Sequence, residues 1–417
     1  MLRPLPAECQ TGAGRDLAGS GQVGWPLPAM PYVAPPSTVV GMTTIDLTDN
    51  PTQQAHDIDL SRVEELVGRL LASFTGGVEL LTIELGRRAG LYQALAEHAA
   101  LNPAGLAAAT GISERYAREW LEQQAAAGFL DVAAGSTAAD RTYSLPTEHV
   151  PVLLQPTHPA HFGAAGQLLQ AVAAAVPAVA EAHLRGGGVA YDAFGDDLRA
   201  AIGAINRPGF VHGVRSWVDA LPDVADRLDL DGGVVLDLGS GEGWSSIALA
   251  KEFPLATVVG VDLDEASAEA ARRHAREYGV ADRATFAVGN AADQAALVRA
   301  TGGRPVTLAT AFQALHDMGR PADALAAVRG LLADHGAVLV GDEAGADEFT
   351  APATEDQRLK YAMSVLHCLP ATTAEHPGDP NGTVLRTDTV RAWASAAGFE
   401  GVQVLDIEHP FWRFYRL

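Results

Sequence analysis

The sequence predicts an α/β protein: an open, mostly parallel sheet with helices on both faces, preceded by a smaller helical domain with a short β wing. Three observations predict it. From Gly233 onward, short apolar runs alternate with segments of helical periodicity, as strand-helix-strand units of a buried parallel sheet do. The first of those runs ends in the glycine-rich turn DLGSGEG. Between Leu91 and Pro146 the chain reads as two short helices joined at Gly111 and followed by two short strands.

Composition bounds the function. At 417 residues the chain exceeds one ordinary domain and has ample length for a core. Its formal charge of −22 and pI near 4.9 exclude nucleic acid as the expected partner, because neutralising phosphates needs clustered Lys and Arg; a small-molecule substrate is expected instead. The sequence has no run of about eighteen uninterrupted apolar residues, and its N-terminus lacks the basic region and apolar stretch of a signal peptide. A cytoplasmic protein without a membrane partner is therefore expected. Cys9 and Cys368 cannot build a disulfide framework, and no Cys/His spacing suggests a zinc site, so no metal is expected.

Residues 1–55 are rich in Pro, Gly and Thr without sustained periodicity and read as a disordered lead-in, with Met42 a second candidate start. Residues 56–150 form the next unit. Apolar spacing from Val63 to Leu85 suggests one or two helices; NPAGLAAATGISERYAREWLEQQAAAGFLDV then gives a helix, a turn at Gly111, a helix capped by Ser113 and a strand after Gly128. TYSLP supplies the returning strand of a wing. In the would-be reading helix Arg115 and Arg118 are outnumbered by Glu114, Glu119 and Glu122, and residues 56–150 hold 7 Arg or Lys against 13 Asp or Glu, a net of −6. Such a winged helix suits packing or dimerisation better than DNA. Residues 151–221 are helical and Ala-rich, interrupted by Pro177 and by Gly186-Gly187-Gly188; their aromatics Tyr191, Phe194, Phe210 and Trp217 either roof a pocket or pack between domains.

The remaining unit, residues 222–417, carries the strands VVLDL, TVVGVDLD, ATFAV, VTLATAF and AVLVGDE with helices between them. Ligands of such sheets bind beyond the carboxyl ends of the strands. Gly239, Gly241 and Gly243 sit in the first strand-to-helix turn, where glycine lets the backbone turn sharply against a ligand. NAD-binding folds share such a turn, but three details favour another ligand. Asp237 precedes the first glycine, where a carboxylate would face a cationic ligand and repel a pyrophosphate. The glycines follow GxGxG, and Asp262 closes the second strand, positioned to accept from both ribose hydroxyls.

The stretch VVLDLGSGEGWSSIALAKEFPLATVVGVDLD resembles the first two motifs of class I S-adenosylmethionine-dependent methyltransferases, which have a Rossmann-like sheet. The resemblance implies S-adenosylmethionine as cofactor, with Gly239, Ser240 and Gly241 under its methionine part and Asp262 and Leu263 at the ribose. VGNAAD resembles the adenine-contacting motif and implies Asn290 and Ala291 there, with Asn290 where the family often has Asp. Phe312, closing the fourth strand, is assigned to the cofactor on the same footing.

QALHDM follows the fourth strand directly, which puts His316 near the cofactor's methyl end, where an imidazole can take a proton from a phenol or enol. FQALHDMGRPADALAAVRGLLADHGAVLVGDE resembles a stretch of small-molecule O-methyltransferases whose N-terminal winged helix mediates dimerisation. That likeness implies His316 as general base, an acidic residue at Asp342 or Glu343 steering it, and a homodimer through the N-terminal domain; Met318 stands where the family has Trp. Within DQRLKYAMSVLHCLP, at the position of a substrate-covering helix, Tyr361, His367 and Cys368 are candidate pocket residues, and His367 an alternative base. Three rival readings stay open from sequence: a non-methylating use of the same cofactor, such as decarboxylation or hydroxylation; a ligand-sensing transcription regulator with a degenerate domain; and an NAD-dependent oxidoreductase.

Overall fold

A computed structural model describes residues 58–135, 137–378 and 380–417; the expected disordered lead-in lies outside them. The apolar periodicity after Val63 forms a single helix, α1 (Leu60–Arg88), whose N-cap Asp59 accepts from the Ser61 amide. It is followed by α2 (Leu91–Glu97), α3 (Pro103–Thr110) and α4 (Glu114–Ala126). Asn102 caps α3 ahead of Pro103, and Gly111 at φ +79° ends it, the left-handed turn that redirects the chain into α4. Strands β1 (Asp131–Ala133) and β2 (Thr142–Ser144) pair antiparallel as the wing. Leu91, Leu95, Leu106, Trp120, Leu121 and Tyr143 form the core beneath it.

The connector holds α5 (Val150–Leu154), α6 (Ala165–Arg185) and α7 (Gly195–Asp219). Pro177 was expected to interrupt the helical segment, yet α6 runs through it, as α7 runs through Pro208. A proline removes one backbone bond, and the buried face of Ala171, Val172, Ala175 and Val179 keeps α6 continuous around it. By length and composition α1 and α6 are each apolar enough to cross a membrane; here α6 packs between α1 and α7.

Beyond α8 (Pro222–Leu230) the chain alternates as the sequence predicts: β3 (Gly233–Leu238), α9 (Trp244–Glu252), β4 (Ala256–Asp262), α10 (Glu265–Glu277), β5 (Ala284–Val288), α11 (Gln294–Thr301), β6 (Val306–Phe312), α12 (Pro321–Arg329) and β7 (Leu332–Glu343). Helices α13 (Glu355–Met363), α14 (Leu369–Glu375) and α15 (Thr387–Ala396) precede the closing strands β8 (Gln403–Leu405) and β9 (Trp412–Arg416). The seven strands lie in the order β5-β4-β3-β6-β7-β9-β8. Only β9 runs opposite to the other six strands.

Alternation along each strand divides the core between the faces of the sheet. Val235, Leu308, Leu339 and Phe414 pack toward Leu249 and Trp217, whereas Val234, Leu236, Val338 and Val340 pack toward Leu325 and Val328. Cutting one of these leucines to alanine costs about 2–5 kcal/mol. After β3 the chain winds outward through β4 and β5, then returns to the other side of β3 for β6 and β7. That reversal opens a crevice at the carboxyl ends of β3 and β6.

Candidate active site

The crevice is a cleft of about 870 Å³, and every predicted cofactor residue except Asp237 lines it: Gly239, Ser240, Gly241, Asp262, Leu263, Asn290, Ala291 and Phe312. The glycine turn is shaped by backbone that other residues avoid. Gly239 has φ +63°, and a Cβ there would lie 2.6 Å from the Ala314 Cβ; Gly241 has φ +50° and open space where its Cβ would point. Only glycine gives this floor both its path and its clearance.

Asp262 ties the floor to the second strand. Its Oδ2 accepts from the Gly241 amide at 2.7 Å and its Oδ1 from the Asp264 amide at 2.9 Å. Each carboxylate oxygen keeps a further lone pair for a ligand hydroxyl. Burial, offset in part by those two amides, pushes its carboxyl up to about 6. Asn290 is exposed, and its Oδ1 accepts from the Ala292 amide at 2.8 Å.

Asp237 departs from expectation. It is 1% exposed and does not face the cleft. Ser245 and Ser246 each donate to its Oδ2 at 2.6 Å, and Thr310 donates to its Oδ1 at 2.7 Å. The carboxylate therefore clamps β3 to α9 and β6 beneath the glycine turn, instead of meeting a cationic ligand. Burial raises its carboxyl above the usual range although three hydroxyls pull it down.

The connector supplies the opposite wall through Tyr191, Arg199, Asn206 and Phe210. Arg199 on α7 makes a two-pronged bond to Asp264, Nε to Oδ2 at 2.7 Å and Nη2 to Oδ1 at 2.8 Å, while Asp264 caps α10 through the Ser267 amide. Phe194 and Trp217 are buried outside the cleft. Sequence reasoning missed Arg199, Asn206, Glu242 and Gln313. For Gln313 a signal existed: it is the first residue past the carboxyl end of β6. It adopts φ +50°, uncommon for a residue with a Cβ, donates to Glu343 Oε1 at 2.8 Å and accepts from the Asn206 amide group.

Asp342, not Glu343, is the carboxylate that meets His316. Its Oδ1 lies 2.6 Å from His316 Nδ1, and its Oδ2 accepts the His316 amide at 3.1 Å. Glu343 points the other way along the strand, to Gln313 and, at 3.7 Å, to Lys360 Nζ. His316 is 2% exposed and lies behind the cleft wall; its neighbour Asp317, with a quarter of its side chain exposed, lines the cleft. His316 Nε2 is 3.3 Å from Asp317 Oδ1. Burial alone would lower the imidazole's pKa, but Asp317 and Asp342 outweigh it and hold it well above the ordinary value.

The three expected pocket residues do not line the cleft. Tyr361 packs edge-on against Phe349. His367 lies behind the cleft-lining Tyr191, 5.7 Å between ring centroids, and burial lowers its pKa. Cys368 is buried against the His316 imidazole, and burial pushes its thiol up to about 12. The π-helical turn Ser364–Cys368 packs His367 and Cys368 toward the protein interior, while Tyr361 on α13 is half-buried against the exposed Phe349.

Comparison with known proteins agrees with this geometry. Residues 229–391 match the methyltransferase-domain family, and residues 77–155 match the Rv2258c-like winged helix-turn-helix domain. A release factor glutamine methyltransferase from Rhodospirillum rubrum is 42% identical over 59 residues, which span 14% of this chain and 18% of that relative's length. Among solved structures, a protein provisionally assigned as an O-methyltransferase from Nostoc punctiforme superposes with TM-score 0.60 at 20% identity, covering 87% of this chain and 99% of its own. Human N-acetylserotonin methyltransferase, solved with S-adenosylmethionine, superposes with TM-score 0.59 at 16% identity, covering 87% and 99%. At these identities the likeness is one of fold.

Proposed function

Given that the chain carries a class I S-adenosylmethionine-dependent methyltransferase domain behind an N-terminal winged-helix domain, we propose that it methylates a hydroxyl group of a small molecule, with His316 removing the proton. The observation that carries this reading is the His316–Asp342 pair just behind the wall of a cleft whose floor suits that cofactor. Gly239 and Gly241 leave room for a ligand against the backbone, Asp262 offers acceptors to ribose hydroxyls, and Asn290 and Ala291 flank the adenine position. When bound, the cofactor supplies an electrophilic methyl group on a sulfonium sulfur.

The chain's own work is then to align the acceptor, exclude water and move one proton. Phe210 and Phe312 give apolar surface, and Gln313, held between Asn206 and Glu343, offers a fixed amide to orient a hydroxyl. Asp342 accepts from the Nδ1–H of His316, so the neutral ring, present above its raised pKa, offers Nε2 as the accepting nitrogen. Asp317, beside Nε2 and on the cleft wall, carries the proton's path from the acceptor to that nitrogen. Support for an oxygen acceptor comes from the assignment of the Nostoc relative and from the imidazole–carboxylate pair.

The chain acts as a cytoplasmic homodimer without nucleic acid. Leu66, Leu70, Phe74 and Leu81 repeat along α1 and all are exposed, an apolar stripe at helical spacing that a second copy of α1 covers. The test is incubation with S-adenosylmethionine and a panel of phenols and enols. A product heavier by one methylene, formed in step with S-adenosylhomocysteine, supports the reading; a decarboxylated or hydroxylated product with S-adenosylmethionine left unconsumed refutes it.

A further inference from the structure

Behind the cleft wall three side chains of different donor chemistry converge. His316 Nε2, Asp317 Oδ1 and Cys368 Sγ all lie within 4.8 Å of one another. The Nε2 to Oδ1 separation is 3.3 Å, and a tetrahedral ion with nitrogen and oxygen bonds near 2.0–2.1 Å spaces such a pair by about 3.3–3.4 Å.

The surroundings set this cluster apart from ordinary core. Asp317 Oδ1 is buried and accepts no hydrogen bond; the cation that faces it is the His316 ring, whose Nε2 lies 3.3 Å away, and a metal ion can take the place of that ring's proton. Asp342 binds Nδ1 of His316 and so turns Nε2 toward Asp317 and Cys368, the way metal-binding imidazoles are oriented by a carboxylate behind them. Thr383 donates to Cys368 Sγ at 2.8 Å and so holds the sulfur in place. His367, whose Nδ1 stands 3.4 Å from that sulfur, has its Nε2 buried without a partner. Both His367 and Cys368 come from the π-helical turn Ser364–Cys368, a winding found often at functional sites.

We infer that His316, Asp317 and Cys368 form a binding site for Zn²⁺. A set of one nitrogen, one sulfur and one oxygen selects a borderline-soft ion, whereas Mg²⁺ and Ca²⁺ take oxygen ligands. His316 and Cys368 stand behind the cleft surface and Asp317 alone reaches it, so the ion sits in the wall and does not hold the acceptor. Its effect follows from Nε2: a bound ion occupies the lone pair that the proton transfer needs, and zinc switches methyl transfer off. That consequence rests on the methyltransferase reading; the binding does not.

The test is titration of the metal-stripped full-length chain with Co²⁺, which gives near-ultraviolet charge-transfer absorption when a thiolate coordinates it. The expected result is a band that saturates at one equivalent, is displaced by Zn²⁺, survives Cys9→Ala and is lost in Cys368→Ser. Asp317→Asn should weaken Co²⁺ binding by roughly tenfold or more, and thermal unfolding of each variant shows whether it is folded. A band that survives Cys368→Ser, or no band in a wild-type chain that still binds S-adenosylmethionine, overturns the inference. A cobalt band in a chain that binds no S-adenosylmethionine keeps the zinc site and removes the methyltransferase reading.

Discussion

His316 and Asp342 stand 26 residues apart in the chain and 2.6 Å apart in space. The juxtaposition follows from sheet order: β6 and β7 are parallel neighbours with Phe312 beside Gly341, so the turn after one strand meets the last residues of the other. Asp342 is fully buried, and its bonds to the ring and amide of His316 leave the imidazole one orientation.

Replacing His316 with alanine should therefore lower turnover by about a hundred- to ten-thousandfold, the range for a lost acid–base group. Cofactor affinity should stay within a factor of a few, because His316 does not touch the cleft. Steady-state rates beside calorimetric titration separate the two; if cofactor affinity collapses with turnover, the residue is structural.

Asp262 makes cofactor binding depend on pH. Its pKa of about 6 lies above the ordinary 3.8 chiefly through burial. In the free protein its contribution to stability is complete below the ordinary value and is lost as pH rises through about 6. Ribose hydroxyls donate to the charged carboxylate, so a bound cofactor pulls the pKa back down. Affinity for S-adenosylmethionine should rise from about pH 5 to about pH 7 and then level. In Asp262→Asn that dependence should flatten, and affinity at neutral pH should fall roughly ten- to hundredfold, the worth of a hydrogen bond to a charged group.

The Arg199–Asp264 pair joins the roof helix to the cofactor edge, with both side chains largely buried. Breaking one partner of such a pair costs about 3 kcal/mol. Arg199→Met should lower the unfolding midpoint by roughly 5 °C or more and weaken cofactor binding. Asp264→Asn in the same chain should add less than its separate cost; full additivity in differential scanning calorimetry would mean the two residues act independently.

On α1, Leu70→Glu with Phe74→Glu places charges in the exposed apolar stripe. Sedimentation velocity should show the dimer converted to monomer while cofactor affinity is unchanged, since α1 contributes nothing to the cleft. A wild-type chain that sediments as a monomer would remove the dimer from this account.

Sequence and structure agree where the signal is local. Gly239, Gly241 and Asp262 could be read because a positive-φ turn and a strand-end carboxylate leave their mark within a few residues. Asp237 was misassigned because its partners Ser245, Ser246 and Thr310 arrive from a helix and a distant strand. The choice between Asp342 and Glu343 needed the register of β7, in which adjacent residues face opposite ways. Arg199 and Asn206 left no trace, since nothing in a helical stretch says which sheet edge it will cover. Tyr361, His367 and Cys368 belong to a segment whose position was legible but whose facing was not, because the winding changes from α to π between Met363 and Ser364 and takes His367 and Cys368 out of phase with Tyr361.

The central claim is tested most directly by calorimetric titration of the purified chain with S-adenosylmethionine and S-adenosylhomocysteine, with NADH as control. Binding of both sulfur compounds at one site per chain, and none of NADH, is the result this account predicts. A chain that binds neither sulfur compound, or binds NADH instead, would contradict it.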